Sequence, residues 1–304
     1  MKREEHLIGE IFAYRYTGAF PDHALLVCHG MGGHGGIYDP FCATYAESHS
    51  ADVWSIDLPG FGRSTNAGRR GEFTATQWVE ATVAVAEHIV EVTGLPVIVK
   101  GSSLGVFAAS AALLASEQID AAILMGMAVA GAGALIPGRP AHPFTTEAGQ
   151  QILREYGRTA VVKIDRLVDF DIDYGFAGAA EEKRRDPLNT WEMDLASFAS
   201  IFTYAPASRW SDNIKPILFT VGELDPLSPP DRVRLVADHL PCPNEVYVHP
   251  QGVHQLMLFH TTEYCAVVRD FVERSLWGTG HSGTHNELRV TTTAHTQPSN
   301  EEHP

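Results

Sequence analysis

Three residues of this 304-residue chain have the types needed for nucleophilic catalysis: Ser103 in Gly101-Ser102-Ser103-Leu104-Gly105, Asp225 in GELDPLSPP and His254 in QGVHQL. A serine hydroxyl is a weak nucleophile until a base takes its proton. An imidazole base in turn needs a third group to hold its tautomer and orientation. The G-x-S-x-G follows the apolar run PVIVKG (96–101) and precedes VFAASAALLA, which is apolar nearly all round. A strand turning sharply into a helix would strain Ser103 and stand its hydroxyl above a sheet, and the flanking Gly101 and Gly105 leave room where a Cβ would meet backbone. The helix N-terminus behind the serine adds partial positive charge where an oxyanion would develop.

These residues converge only if the right elements carry them. Short apolar runs recur at HALLVCHG (23–30), ADVWSIDLPG (51–60), PVIVKG, AAILMGMA (121–128), PILFTVG (216–222) and EVYVHP (245–250), while residues 7–17 read as early strand or hairpin. Helical patterns lie between them. Thr74 and Gln77 have capping-box spacing, Val79, Val83, Ala86 and Val90 share a face, and Gly94 closes that segment. A helix is expected to open at Ser228, Pro229 and Pro230, and Tyr264, Val268 and Phe271 mark a last one. Apolar strands alternating with helices predict an α/β fold with a mostly parallel sheet covered on both faces. In such a sheet Asp225 and His254 sit just beyond strand carboxyl ends, on the same edge as Ser103. Glu223 and His260 are local rivals further from those positions, and GMAVAGAGA after the preceding strand holds no carboxylate.

Between strand 121–128 and strand 216–222 lie nearly ninety residues with no clear strand. They open on AGAGALIPGRPAHPF and continue with helical segments at about 146–169 and 191–204, the second placing Trp191, Leu195, Phe198 and Phe202 on one side. This predicts a helical cap over 131–209, inserted after the sixth core strand, with the core formed by 1–130 and 210–277. From about Gly278 the chain is polar and reads as a disordered tail over 278–304. Its histidines (His281, His285, His295, His303) come without a carboxylate or thiolate framework, so no metal is expected.

The balance of 22 basic against 37 acidic residues disfavours nucleic acid as a partner. Cys28, Cys42, Cys242 and Cys265 are scattered and read as reduced thiols. The charged start lacks an apolar core of roughly 7–15 residues, and no stretch approaches the roughly 20 needed to span a bilayer, so a cytoplasmic protein without a membrane span is expected. Oligomeric state is not legible.

His29-Gly30 after the first core strand, Asp57-Leu-Pro-Gly-Phe-Gly-Arg-Ser64 after the second, the turn at Ser103, and Asp225 and His254 together resemble the α/β-hydrolase superfamily over about residues 8–276. RRDPL (184–188) and GELDPLSPP are most similar to its monoacylglycerol lipase and lysophospholipase-like branch. The resemblance implies Ser103 as nucleophile, His254 as base, Asp225 as the acid behind it, and an oxyanion hole from the backbone N–H groups of Met31 and Leu104. It implies no metal or organic cofactor. Val106 stands where many relatives have a second glycine after the turn.

One motif competes. Gly30-Met-Gly32-Gly-His-Gly35 with Asp57 downstream matches a dinucleotide fingerprint, but it leaves the elbow, Asp225 and His254 unexplained. In the hydrolase reading the glycines let backbone approach a carbonyl oxygen and Asp57 braces the next loop. The expected activity is cleavage of a carboxylic ester or lactone, with Met31, Leu256, Met257 and Phe259 suggesting an apolar acyl group. Carbon–carbon bond hydrolysis, acyl transfer to another acceptor, or a non-catalytic ligand receptor would use the same scaffold.

Overall fold

The computed structural model describes residues 3–64 and 69–278. Among the described residues ten strands form, of which eight make the central sheet: β1 (Arg3–Ile8), β2 (Ile11–Thr17), β3 (His23–Cys28), β4 (Ala51–Ile56), β5 (Val97–Ser102), β6 (Ile119–Met125), β9 (Ile217–Gly222) and β10 (Asn244–His249). The remaining pair, β7 (Val161–Lys163) and β8 (Glu192–Asp194), forms a separate antiparallel ribbon. The central order is β1-β2-β4-β3-β5-β6-β9-β10. The β1–β2 hairpin joins antiparallel at one edge and the other six strands run parallel.

The parallel strands β3, β4, β5 and β9 are buried at every position, as the apolar runs demand of a sheet covered on both faces. One face carries α1 (Asp39–Ser48) and the long helix Thr261–Trp277, packed around Phe41, Tyr45 and Tyr264. The other carries α2 (Ala75–Thr93) and α3 (Gly105–Ala115), with Trp78, Ile89 and Phe107 in the core, and α8 (Pro230–His239). Thr74 and Gln77 make the reciprocal capping box at the start of α2, and Gly94 ends it with φ 68°. Every residue of α3 from Gly105 to Leu113 is buried, which explains a sequence with no polar face.

The segment between β6 and β9 departs from the expectation of two helices and no strand. The first helix, α4 (Glu147–Tyr156), stops well short of residue 169, and the chain continues through β7, α5 (Phe170–Tyr174) and α6 (Ala179–Arg185). The second, α7 (Leu195–Thr203), starts four residues late because 192–194 are in β8. The β-branched Val161 and Val162 find their partner about thirty residues away in Glu192–Asp194, a pairing no local pattern announces. The tail expected from Gly278 falls, from residue 279 on, outside the described residues. Among the described residues no helix is long and apolar enough to cross a membrane, and the four cysteines are free.

Candidate active site

The six parallel strands end on one edge of the sheet, and the candidate residues directly follow four of them. Gly30 lies beyond β3, Ser103 beyond β5, Asp225 beyond β9 and His254 beyond β10. Ser103 has φ 52°, a left-handed conformation costly for a residue with a Cβ. It is held there from both sides. Its N–H donates to Met125 O at 2.8 Å, and Val106 N–H donates to Ser103 O at 3.1 Å. The glycines are required by close backbone approach. A Cβ on Gly101 would lie 2.6 Å from Gly105 O and from Val106 Cα, and one on Gly105 would collide with the carbonyl oxygens of Cys28 and His29. Val106 itself is fully buried in the core, so the side chain at that position is accommodated.

Asp225 and His254, 29 residues apart, meet with Oδ2 2.7 Å from Nδ1, both nearly inaccessible to solvent. The other carboxylate oxygen accepts the N–H groups of Leu227 and Ser228, each at 2.8 Å. A carboxylate can only accept, so Nδ1 carries the proton and Nε2 presents its lone pair. Nε2 is buried with no hydrogen-bond partner; the bond to Ser103 is not closed in this structure. Burial lowers the affinity of His254 for a proton, but the hydrogen bond to Asp225 and the charges of Asp173 and Asp225 outweigh it, and the net pKa is raised. The sequence rivals stand aside: Glu223 is exposed, and His260 lies beside His249 and Glu263.

The loop after β3 faces the serine. A Cβ on Gly30 would lie 3.0 Å from Ser103 Cβ. Among the described residues, the N–H groups of Met31 and Leu104 donate to no protein acceptor, which leaves two backbone donors for an oxygen. His29 is fully buried, with Nδ1 2.8 Å from Gly30 O and Nε2 accepting Leu58 N–H at 3.0 Å. Burial takes its pKa down to about 3, so it is a neutral brace and not a proton carrier. Asp57 accepts Gly35 N–H at 2.7 Å and Arg63 N–H at 2.8 Å, tying this loop to the next. The glycine-rich loop is thereby committed to bracing the edge around Ser103, and Asp57 has both oxygens engaged in that role.

Above Ser103 lies a cavity of about 20 Å³, room for about one water. Its walls come from both the sheet edge and the inserted segment: Met31, Tyr38 and Gln255 from the first, Val168, Phe170, Asp173, Tyr174 and Lys183 from the second. The insertion is fastened to the glycine-rich loop by His34 Nε2 to Asp186 Oδ2 at 2.7 Å and by Thr190 N–H to Gly32 O at 3.0 Å. The expected apolar wall is only partly there. Of Met31, Leu256, Met257 and Phe259, Met31 alone lines the cavity; Leu256 and Met257 are core residues and Phe259 is half-exposed against Tyr174 and Phe176. Asp173, Lys183 and Gln255, by contrast, are polar wall residues that the sequence did not flag. Asp173 is one of three alternating aspartates (169, 171, 173), and the alternation does not say which is turned inward.

This is an α/β-hydrolase fold, with a mostly parallel sheet flanked by helices and an insertion after its sixth strand. The chain belongs to the family described as serine aminopeptidase, S33, a hydrolase family whose profile matches residues 19–260. No curated protein sequence matches it. Among solved structures it is similar to a monoacylglycerol lipase from Paleococcus ferrophilus (16% identity, TM-score 0.61, covering 90% of this chain and 98% of that one). It is also similar to a highly thermostable carboxyl esterase from Bacillus coagulans in complex with glycerol (16%, TM-score 0.70, 90% and 98%). A soluble variant of monoglyceride lipase from Saccharomyces cerevisiae is a third (12%, TM-score 0.65, 90% and 95%). At these identities the likeness is one of fold.

Proposed function

We propose that the protein is a serine esterase acting on a small carboxylic ester or lactone, with residues 131–209 as a cap over the core of 1–130 and 210–277. Ser103 is the nucleophile, His254 the base and Asp225 the residue that orients it. His254 Nε2 takes the Ser103 proton as Oγ attacks the carbonyl carbon, and the Met31 and Leu104 N–H groups stabilise the tetrahedral oxyanion. The imidazolium then gives its proton to the leaving alcohol. Water, deprotonated by the same Nε2, hydrolyses the acyl-serine and restores both residues. The observation that carries this reading is the buried Asp225–His254 contact on the same sheet edge as a serine held at φ 52°.

Met31, Ile37, Val168 and Phe170 offer apolar wall for the acyl chain. Named lipases and an esterase among the structural neighbours favour an ester over other acyl compounds. A cavity with room for about one water requires the cap to shift before an ester enters.

The test is hydrolysis of p-nitrophenyl esters from acetate to decanoate by wild type and Ser103→Ala in parallel. Turnover by wild type with Ser103→Ala near background supports the reading, and the chain-length optimum sizes the pocket. Rates equal in the two proteins would remove Ser103 as nucleophile. Rates flat or falling with chain length would remove the apolar acyl preference.

A further inference from the structure

Three polar side chains line the cavity over Ser103, and none of them bonds to a reacting atom in the acyl-transfer steps. Asp173, on α5, is 3% exposed, Lys183, on α6, 8%, and Gln255 5%. Burying a carboxylate, an ammonium and an amide beside a reacting centre costs stability unless they are well bonded. They are only partly so. Gln255 Nε2 donates to Asp173 Oδ1 and Oδ2 at 3.1 and 3.3 Å, leaving most of the acceptor capacity of that carboxylate unused. Gln255 Oε1 is buried with no partner at all. Lys183 Nζ donates to Asn189 Oδ1 at 3.0 Å and lies 5.1 Å from the centre of the Phe170 ring, which leaves two of its three N–H groups uncommitted. Among the described residues Asp173 and Lys183 make no direct ion pair with each other or with any other side chain.

The unused groups are of both kinds, acceptors on Asp173 and Gln255 and donors on Lys183. Their formal charges are opposite. A ligand carrying its own net charge would leave one of the two buried charges uncompensated, whereas a neutral group that both donates and accepts completes the set. A hydroxyl is the simplest such group.

We propose that Asp173, Lys183 and Gln255 form a polar subsite beside Ser103 that binds a neutral, hydroxyl-bearing part of the substrate, in its acyl chain or in its alcohol portion. This rests on the serine esterase reading above and assigns to the cap a role in selectivity. A hydroxyl donates to Asp173 or Gln255 Oε1 and accepts from Lys183 Nζ. A substrate without it leaves these buried groups unpaired, and that is the source of discrimination, because sites built to hydrogen-bond a hydroxyl reject the analogue lacking it strongly.

Two matched pairs test this and separate the two sources. p-Nitrophenyl 3-hydroxybutyrate against p-nitrophenyl butyrate reads the acyl side, and 2-hydroxyethyl butyrate against ethyl butyrate reads the alcohol side. An anionic ester (p-nitrophenyl hemiglutarate) and a cationic one (butyrylcholine) complete the set. The expected result is a kcat/KM at least about ten-fold higher for the hydroxyl member of one pair. That ratio should shrink in Asp173→Asn and in Lys183→Met, a change in selectivity that a purely structural role would not produce. Equal or inverted rates in both pairs overturn the proposal, as does a preference for either ion or a ratio that both variants leave untouched. Labelling of Ser103 by an alkyl fluorophosphonate distinguishes the failures. Labelling with no hydroxyl preference rejects the subsite alone, and no labelling together with no ester turnover rejects the nucleophile reading and the subsite with it.

Discussion

Asp225 and His254 are joined through only one of the two carboxylate oxygens: Oδ2 lies 2.7 Å from Nδ1, while Oδ1 accepts the N–H groups of Leu227 and Ser228 at 2.8 Å. The loop after β9 thus fixes the carboxylate, and the carboxylate fixes the imidazole. This division makes Asp225→Asn informative. The amide can keep the loop bonds through its oxygen, but it then offers Nδ1 an N–H and favours the wrong histidine tautomer. We expect a loss in kcat of about 10³–10⁴ with KM little changed, read with a p-nitrophenyl ester. A loss below ten-fold would show that His254 is oriented by other contacts.

The pH dependence follows from the direction of the His254 shift. Burial disfavours the imidazolium, yet the bond to Asp225 and the Asp173 and Asp225 charges raise the pKa above its ordinary 6.5. As the proposed base, His254 must be neutral, so kcat/KM is expected to fall as pH drops through a value above 6.5. Asp173→Asn removes one of the raising charges and should move this acidic limb to lower pH. A profile measured over about pH 5 to 9 checks both statements.

The elbow should tolerate no added methyl. In Gly105→Ala the new Cβ would overlap the carbonyl oxygens of Cys28, which ends the neighbouring strand β3, and of His29 just after it, and these cannot retreat without disturbing the loop that carries Met31. We expect a loss of about 1–3 kcal/mol or more in urea denaturation, with activity lost further than stability.

The inserted segment is fastened to the glycine-rich loop at His34–Asp186, and cutting that bond should loosen the segment without unfolding the core. Asp186→Ala removes the acceptor and is expected to cost roughly 0.5–1.5 kcal/mol and to speed trypsin cleavage at Arg184, whose side chain is exposed. Unchanged cleavage would mean that Thr190 N–H to Gly32 O suffices.

Lys100, on β5 beneath the elbow, is fully buried, with Nζ 3.5 Å from Gly101 O and 5.4 Å from the centre of the Tyr264 ring. Burial pushes its pKa from 10.5 to about 7. Between those values the unfolded chain holds the proton and the folded one releases it, so stability should rise with pH across that window, by up to about 1.4 kcal/mol per unit. Lys100→Met should flatten the slope and raise stability near pH 7. Denaturation midpoints at several pH values decide it.

What the sequence determined by itself is what local pattern encodes. Apolar runs of strand length alternating with helical patterns specify a parallel sheet covered on both faces, because nothing else buries such runs on two sides. G-x-S-x-G between strand and helix specifies the strained turn, since both glycines are demanded by backbone contacts within a few residues or with the adjoining strand. Loops after parallel strands share one edge, which brought Ser103, Asp225 and His254 within view of each other. The tertiary structure alone decided the wall of the cavity. Whether Asp169, Asp171 or Asp173 is turned inward depends on how α5 is seated, and that is set by contacts with residues far along the chain, such as Gln255. The β7–β8 pairing and the His34–Asp186 bond, spanning 152 residues, are likewise products of packing between distant segments. Periodicity reports which face of an element is apolar; it carries no information about which distant face it will meet.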